Sequence, residues 1–261
     1  MESLKTIDIT YGNRTIALPD LPIYSKFYHK LSAGTWEPNT FAVLGRNLDR
    51  ETVYVDIGAW IGVTPFWATH IAKAVIAVEP DPACIDILGK LCGNFSNLTV
   101  IHGALAKDVN VQLNSVGGFG SSASSILNIG DGDSIVVNGY SIDDIMQSVG
   151  RSSVFVKIDI EGYEFNLSEE VKKLQKYNLR GLQLAVHPQL YERGQRGNLL
   201  LRRLRTVIST RKLGNIFRGF FAEPTVAGYS SLLSYIIFGV LLRLKPKGAD
   251  FIFERKFPSP T

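Results

Sequence analysis

The chain has 261 residues, of which 45% are apolar and 20% charged. This is an ordinary globular composition, and it excludes a disordered chain, a collagen and a disulfide scaffold. A net charge of +4 is too mild to argue for a nucleic-acid partner, but it is unevenly spread: residues 193–218 carry eight basic side chains and no acid, which leaves the rest of the chain at −4. Such a segment suggests an anionic partner, either a membrane surface or a polyanion, or else a solvated helix face.

In chain order, residues 1–50 read as an irregular N-terminal cover. It has a hairpin around Tyr11–Arg14 and a helix from Asn39 to Asn47 with Asn39 as its cap. The first residues carry acids and no apolar h-region, which argues against a signal peptide. Residues 51–261 form the main domain. Val53–Gly58 (VYVDIG), Val75–Glu79 (VIAVE), Leu98–His102 (LTVIH), Val154–Asp159 (VFVKID) and Leu182–Val186 (LQLAV) are near-continuous apolar runs, the pattern of strands buried on both faces. Helical stretches lie between them, over 62–72, from Pro80-Asp81-Pro82 to about Leu91, and from the fourth run to about Lys176. This alternation predicts βαβ units and a doubly wound, parallel α/β sheet. Two alternating segments, Val109–Val116 and Ser134–Asn138, flank a Gly/Ser stretch at 117–125 that is either a mobile lid or a plain linker.

Residues 189–248 read as a helical insertion and Asp250–Arg255 as the last strand. Within the insertion, 224–242 is 19 residues without a charge, about 28 Å as a helix and barely a span. A helix packed on the domain, or one lying in a membrane interface beside the basic segment, fits it better. Cys84 and Cys92 fall in one predicted helix, roughly 12 Å apart, beyond the ~7 Å a disulfide bridges. Two thiols in a reducing cytoplasm are therefore expected.

The chemical signal is Asp56-Ile57-Gly58-Ala59-Trp60-Ile61-Gly62 at the end of the first strand. Gly58 permits a sharp turn, and Ala59 and Gly62 keep the loop close to a ligand and the helix close to the sheet. Glu79 ends the second strand, where an acid can take both hydroxyls of a ribose. A dinucleotide fingerprint would need Gly where Trp60 stands, and no phosphate-binding Walker lysine is present. A positively charged cofactor without phosphates fits better, with Asp56 supplying negative charge. An ordinary glycine turn is the competing reading.

DIGAWIG (56–62), VEPDP (78–82), SIDDI (141–145), VKIDIEGYE (156–164) and VHP (186–188), in this order, resemble the FkbM-type methyltransferases. The resemblance covers about residues 50–190 and the last strand. It implies a Rossmann-like class I fold with a mostly parallel seven-stranded sheet. It implies S-adenosylmethionine as cofactor and O-methylation of sugars, glycans or other small hydroxylated molecules. By resemblance, Asp56, Gly58, Ala59 and Gly62 hold the methionine end of the cofactor and Glu79 the ribose, while Pro80, Asp81, Gly103 and Ala104 flank the adenine. Two residues depart from the family pattern: Trp60 replaces a small polar residue, and Ala185 stands where many members have Glu.

Asp159 and Glu161 close the fourth strand and His187 the fifth. His187 is the candidate base and Asp159 the group that orients the acceptor hydroxyl, with Glu161 beside it. Helix capping is the alternative for the two acids, and a satisfied strand-end histidine the alternative for His187. Glu164 is assigned to the following helix. His70 and His102 read as structural, and His29 is unassigned. Mg²⁺ on the paired carboxylates is conceivable but unsupported, so no metal is assigned. No nucleic-acid partner is expected, and peripheral contact with an anionic membrane is. The rival functions are an NAD-type sugar oxidoreductase and a non-catalytic adenosyl-binding or membrane-associated module.

Overall fold

The structure is a computed structural model that describes residues 5–11, 14–20, 22–115, 118–120, 125–127, 133–243 and 248–254. The chain opens with an antiparallel pair, β1 (Thr6–Tyr11) and β2 (Arg14–Pro19), in which Tyr11 faces Arg14, as the expected hairpin requires. Helices α1 (Ser25–Ser32) and α2 (Pro38–Asn47) follow. The expected cap at Asn39 is displaced. The helix starts at Pro38, whose fixed φ suits the first helical position, and Glu37 precedes it in a left-handed conformation with φ 44°.

The main sheet is then built from β3 (Thr52–Ile57), α3 (Val63–Thr69), β4 (Ala74–Glu79), α4 (Pro82–Cys92) and β5 (Leu98–His102). The short β6 (Ala104–Leu105), β7 (Asn110–Asn114) and β8 (Ser134–Tyr140) form a separate three-stranded sheet. The chain re-enters the main sheet through α5 (Ile142–Ile145), β9 (Ser153–Ile158), α6 (Ser168–Lys172) and β10 (Leu179–Val186). It then leaves through α7 (Pro188–Gly194), α8 (Leu199–Gly214), β11 (Thr225–Val226) and α9 (Leu232–Ser234). The last of these continues as a π-helical turn over Tyr235–Leu241, and β12 (Ala249–Glu254) closes the fold.

The seven strands lie in the order β11-β12-β10-β9-β3-β4-β5. Strands β5, β4, β3, β9 and β10 run parallel, and β12 pairs antiparallel with β10. This is the mostly parallel, doubly wound sheet expected from the apolar runs. Both faces are buried. Val53, Val55, Ile57, Val154, Val156 and Ile158 face a core shared with α5, α6 and the insertion. Tyr54 and Phe155 point the other way, into a core shared with β2, α1, α2, α3 and α4. The 224–242 stretch is broken into β11, a turn, α9 and the π-helical turn, and no helix among the described residues is long and apolar enough to cross a membrane. Cys84 and Cys92 are both unpaired. Most of the Gly/Ser stretch lies outside the described residues, so its reading as lid or linker lies there too.

Candidate functional site

The parallel register sets Asp56 beside Lys157 on adjacent central strands. Strand periodicity puts Lys157 and Asp159 on one face. Lys157 is 5% exposed, and its Nζ lies 3.6 Å from Asp56 Oδ1 and 3.3 Å from Asp159 Oδ2. Burial works against its charge, but Asp56, Asp159 and Glu37 outweigh it and hold the ammonium well above the ordinary lysine range. Asp56 is fully buried and also accepts from the Tyr54 hydroxyl at 2.9 Å and from Thr64. It lines neither cleft described below. Its two oxygens are turned toward Lys157, Tyr54 and Thr64.

Above Asp56 the loop turns on Gly58, with φ +87°. A Cβ there would meet the Asp159 backbone oxygen at 1.9 Å, so only glycine lets the loop and β9 touch. Trp60 takes φ 50°, and its backbone N–H donates to Glu79 Oε2 at 2.7 Å. Glu79 Oε1 accepts from the Asp81 N–H at 2.9 Å. Burial lifts Glu79 to about 7 against the pull of those two donors. Asp81 is buried, caps α4 through the Ala83 N–H and accepts from the Gly120 N–H at 2.7 Å. It does not line the narrow cleft expected to take the adenine.

Two clefts open at this crest. The narrower encloses about 550 Å³, between Gly58 and Trp60, Glu79 and Pro80, Gly103 to Leu105, and Asp159 to Glu161. Its lining contains three carboxylates and no Lys or Arg. That set of carboxylates opposes a pyrophosphate and suits a cationic ligand. The wider cleft, of about 1440 Å³, is walled by Tyr24, Phe27, Trp36 and Trp60 and floored by Lys157, Asp159, Glu161 and His187. The Trp60 ring meets Phe27 and Tyr24 edge-on, with centroids 4.8 and 5.4 Å apart, and its indole N–H donates to the Gly120 carbonyl at 3.1 Å. The departure at Trp60 thus builds a cleft wall and leaves the backbone bond to Glu79 in place.

His187 is fixed by a residue that the sequence reading gave to a helix. Glu164 is fully buried, accepts the His187 backbone N–H at 2.6 Å, and lies 3.6 Å from Nδ1. On the other side of the ring, Nε2 is 3.8 Å from Asp159 Oδ1 and 3.9 Å from Glu161 Oε2. Burial lowers the His187 pKa, but Glu164, Asp159 and Glu161 overcome it and raise it to about 10. Burial alone would raise Asp159, yet Lys157 and His187 hold it below the usual carboxylate range. Glu161 is pushed up to about 7, first by burial and then by Asp159 and Glu164, against the attraction of His187. Glu37 reaches the same group from the N-terminal segment and is raised to about 7 by burial. Asp250 sits opposite Ala185 in the β10–β12 pair and is raised by burial and by Asp159. It supplies a carboxylate near the position where Ala185 lacks one.

The structure thus brings Asp159, Glu161 and His187 together, with one ligand atom from each within 4.8 Å of the others. Glu79, Pro80, Gly103 and Ala104 lie along the narrow cleft and Ala59 along the wide one. Gly62 lines neither and packs against Leu88 and Phe66. Lys157, Glu164, Glu37 and Asp250 were missed. For the first two, the signal was the density of charges in VKIDIEGYE, a strand otherwise buried on both faces.

A family model described as the methyltransferase FkbM domain matches residues 56–213. A search of curated proteins finds no match to the chain. Among solved structures, a fibrillarin pre-rRNA processing protein from Methanococcus jannaschii aligns at 14% identity and TM-score 0.44, over 98% of this chain and 84% of that one. An rRNA methylase from Streptococcus thermophilus aligns at 10% identity and TM-score 0.44, over 84% and 95%. A Streptococcus mutans chain assigned as a methyltransferase, in complex with SAH, aligns at 13% identity and TM-score 0.46, over 83% and 96%.

Proposed function

Because the chain belongs to the FkbM methyltransferase domain family and is accordingly a methyltransferase, we propose that it methylates a hydroxyl oxygen of a sugar, glycan or related small molecule. S-adenosylmethionine is the cofactor expected of that family. The observation that carries the reading is that Gly58, Trp60, Asp159 and Glu161 line both clefts. A ligand in the narrow cleft and one in the wide cleft would meet at two carboxylates. When bound, the cofactor supplies a methyl group already activated on a sulfonium, so the chain's work is alignment and proton handling.

In this reading Glu79 binds the ribose hydroxyls, and Pro80, Gly103 and Ala104 bound the adenine. The turn of Gly58, Ala59 and Gly62 keeps the loop against β9. Asp56 acts from below, fixing Lys157 and through it Asp159. The aromatic wall of the wide cleft gives a sugar ring an apolar face, and the carboxylates on its floor meet hydroxyls. The expected base, His187, is held protonated by three carboxylates, so at neutral pH it donates rather than accepts. The group poised to accept a proton near neutrality is Glu161. We therefore assign Glu161 to receive the acceptor's hydroxyl proton, Asp159 to orient that hydroxyl, and His187 to hold both carboxylates in place through Nε2.

Mg²⁺ prefers oxygen donors, and the scheme assigns it no role. Two unpaired thiols support a reducing compartment such as the cytoplasm. The deciding experiment incubates the protein and S-adenosylmethionine with a panel of glycosides, glycolipids and short RNAs and follows the mass of each acceptor. Gain of a methyl group on a sugar oxygen supports the proposal, and methylation confined to RNA, or to nitrogen or carbon, would overturn the acceptor assignment.

A further inference from the structure

Helix α8 is amphipathic in the wrong sense. Its buried side presents Thr206 and Thr210, both fully buried, whose hydroxyls are satisfied by carbonyls of their own helix at Arg202 and Thr206. Its outer side presents Leu200, Leu204 and Ile208, spaced four apart on one stripe and 79%, 54% and 60% exposed. Eight of the eleven large apolar side chains exposed among the described residues lie in α8 or in the α9–π-helical segment, and a ninth, Leu242, directly follows it.

These two helices lie side by side and antiparallel. Leu232, at the start of α9, packs on Gly214 at the end of α8. At the other end, the buried Glu192 carboxylate links Arg243 at 2.6 Å to Arg203 at 3.8 Å. Leu241 and Leu242 lie at the same end of the pair as the first half of α8, while Leu233 and Ile208 flank one groove at the far end. The outward charge on α8 and its approaches is of one sign: Arg193, Arg196, Arg205, Arg211, Lys212 and Arg218 are exposed, with no acid in 193–218.

We propose that this two-helix face is a docking surface for an anionic lipid bilayer, with the exposed leucines entering the interface and the surrounding arginines pairing with lipid headgroups. An unpartnered leucine stripe needs an apolar cover, and an excess of cations fits a negatively charged one, although Lys212 is paired with Glu169 at 3.0 Å and Glu169 and Glu223 line the far groove. The insertion begins at Pro188, directly after His187 of the wide-cleft floor. The inference deepens the glycan reading by pointing to acceptors carried on lipid, but the binding itself does not depend on that reading.

The test is flotation of the full chain with neutral phosphatidylcholine vesicles and with vesicles containing 30% phosphatidylglycerol, a composition about as anionic as cytoplasmic leaflets become. SAH binding is measured in parallel by calorimetry. Binding only to the anionic vesicles is expected, falling at least tenfold between about 0.1 and 0.5 M salt. The pair Leu200→Gln and Leu204→Gln should weaken it at least tenfold, with SAH affinity unchanged. Leu200→Trp should show a blue-shifted emission on anionic vesicles, which reports insertion. Protein that stays out of both vesicle fractions overturns the proposal. So does a leucine pair that only converts a dimer to a monomer in size-exclusion chromatography, or anionic binding indifferent to both leucines. Loss of SAH binding by the wild-type chain would count against the methyltransfer reading and leave the lipid result standing.

Discussion

Glu164 and His187 are joined twice: one buried carboxylate oxygen accepts the His187 backbone N–H at 2.6 Å and lies 3.6 Å from the ring Nδ1. The other oxygen accepts the Gly162 N–H at 2.8 Å, so a single side chain ties the end of β10 to the turn that carries Glu161. Glu164→Gln should keep both backbone bonds only in part and should drop the His187 pKa from about 10 toward its ordinary 6.5. NMR titration of the imidazole reads this directly. His187 is raised on folding, so its contribution to stability is full below the unfolded pKa and is lost as pH rises through the folded one. The wild-type chain should therefore lose stability between about 6.5 and 10 in denaturant melts, and Glu164→Gln should flatten that loss. An unshifted imidazole in the variant would show that Glu164 does not set the charge of His187.

Glu79 should make cofactor binding pH-dependent. Its carboxyl is raised to about 7, and it must be ionised to accept two ribose hydroxyls. From the fraction ionised, SAH affinity should fall about tenfold between pH 8 and pH 6. Glu79→Gln should bind more weakly by roughly 1–3 kcal/mol and lose the pH slope. Calorimetry at three pH values checks both, and a slope retained in the variant would assign it elsewhere.

Glu161→Gln removes the proposed proton acceptor without changing size. Turnover should fall by about 10²–10⁴ with SAH affinity kept, and the rise of the rate through pH 7 should disappear. His187→Ala should also lower turnover and displace that rise to higher pH, because His187 holds Glu161 down. A Glu161→Gln enzyme with wild-type rate would move proton acceptance to Asp159 or water.

Lys157→Met should be a stability variant before it is an activity variant. Removing a buried cation leaves Asp56 ionised and unpaired in the sheet, which costs about 3–5 kcal/mol. Tyr54 and Thr64 still bind Asp56, which places the loss toward the lower end. Urea denaturation measures it. A double variant with Asp56→Asn should recover part of the loss, and a strictly additive loss would show that the pair is not coupled.

Much of this protein was legible from its residues in order. Apolar runs such as VYVDI and VFVKI can only be strands covered on both faces, and the helices between them force parallel crossovers. Local chemistry also marked the turn at Gly58 and the acid at Glu79, because a sharp strand-end turn and a crest carboxylate are properties of short segments. What the linear order could not carry was the partnership of charges from different strands. Lys157 looked like an interruption of a buried strand until the parallel register set it beside Asp56. Glu164 does sit in a short helical turn, Tyr163–Asn166, but the end of β10 comes to it only in the fold, and Glu37 and Asp250 lie more than a hundred residues of chain from Asp159 on one side and about ninety on the other. Whether His187 holds or accepts a proton depends on the sum of three carboxylates within 4 Å of its ring nitrogens. That sum is a property of distance and burial, since electrostatic energy depends on separation in space and on excluded water. The same holds for α8, whose composition suggested either an anionic partner such as a membrane surface or a solvated helix face. Only packing decided that Thr206 and Thr210 face the core and that Leu200 and Leu204 face out.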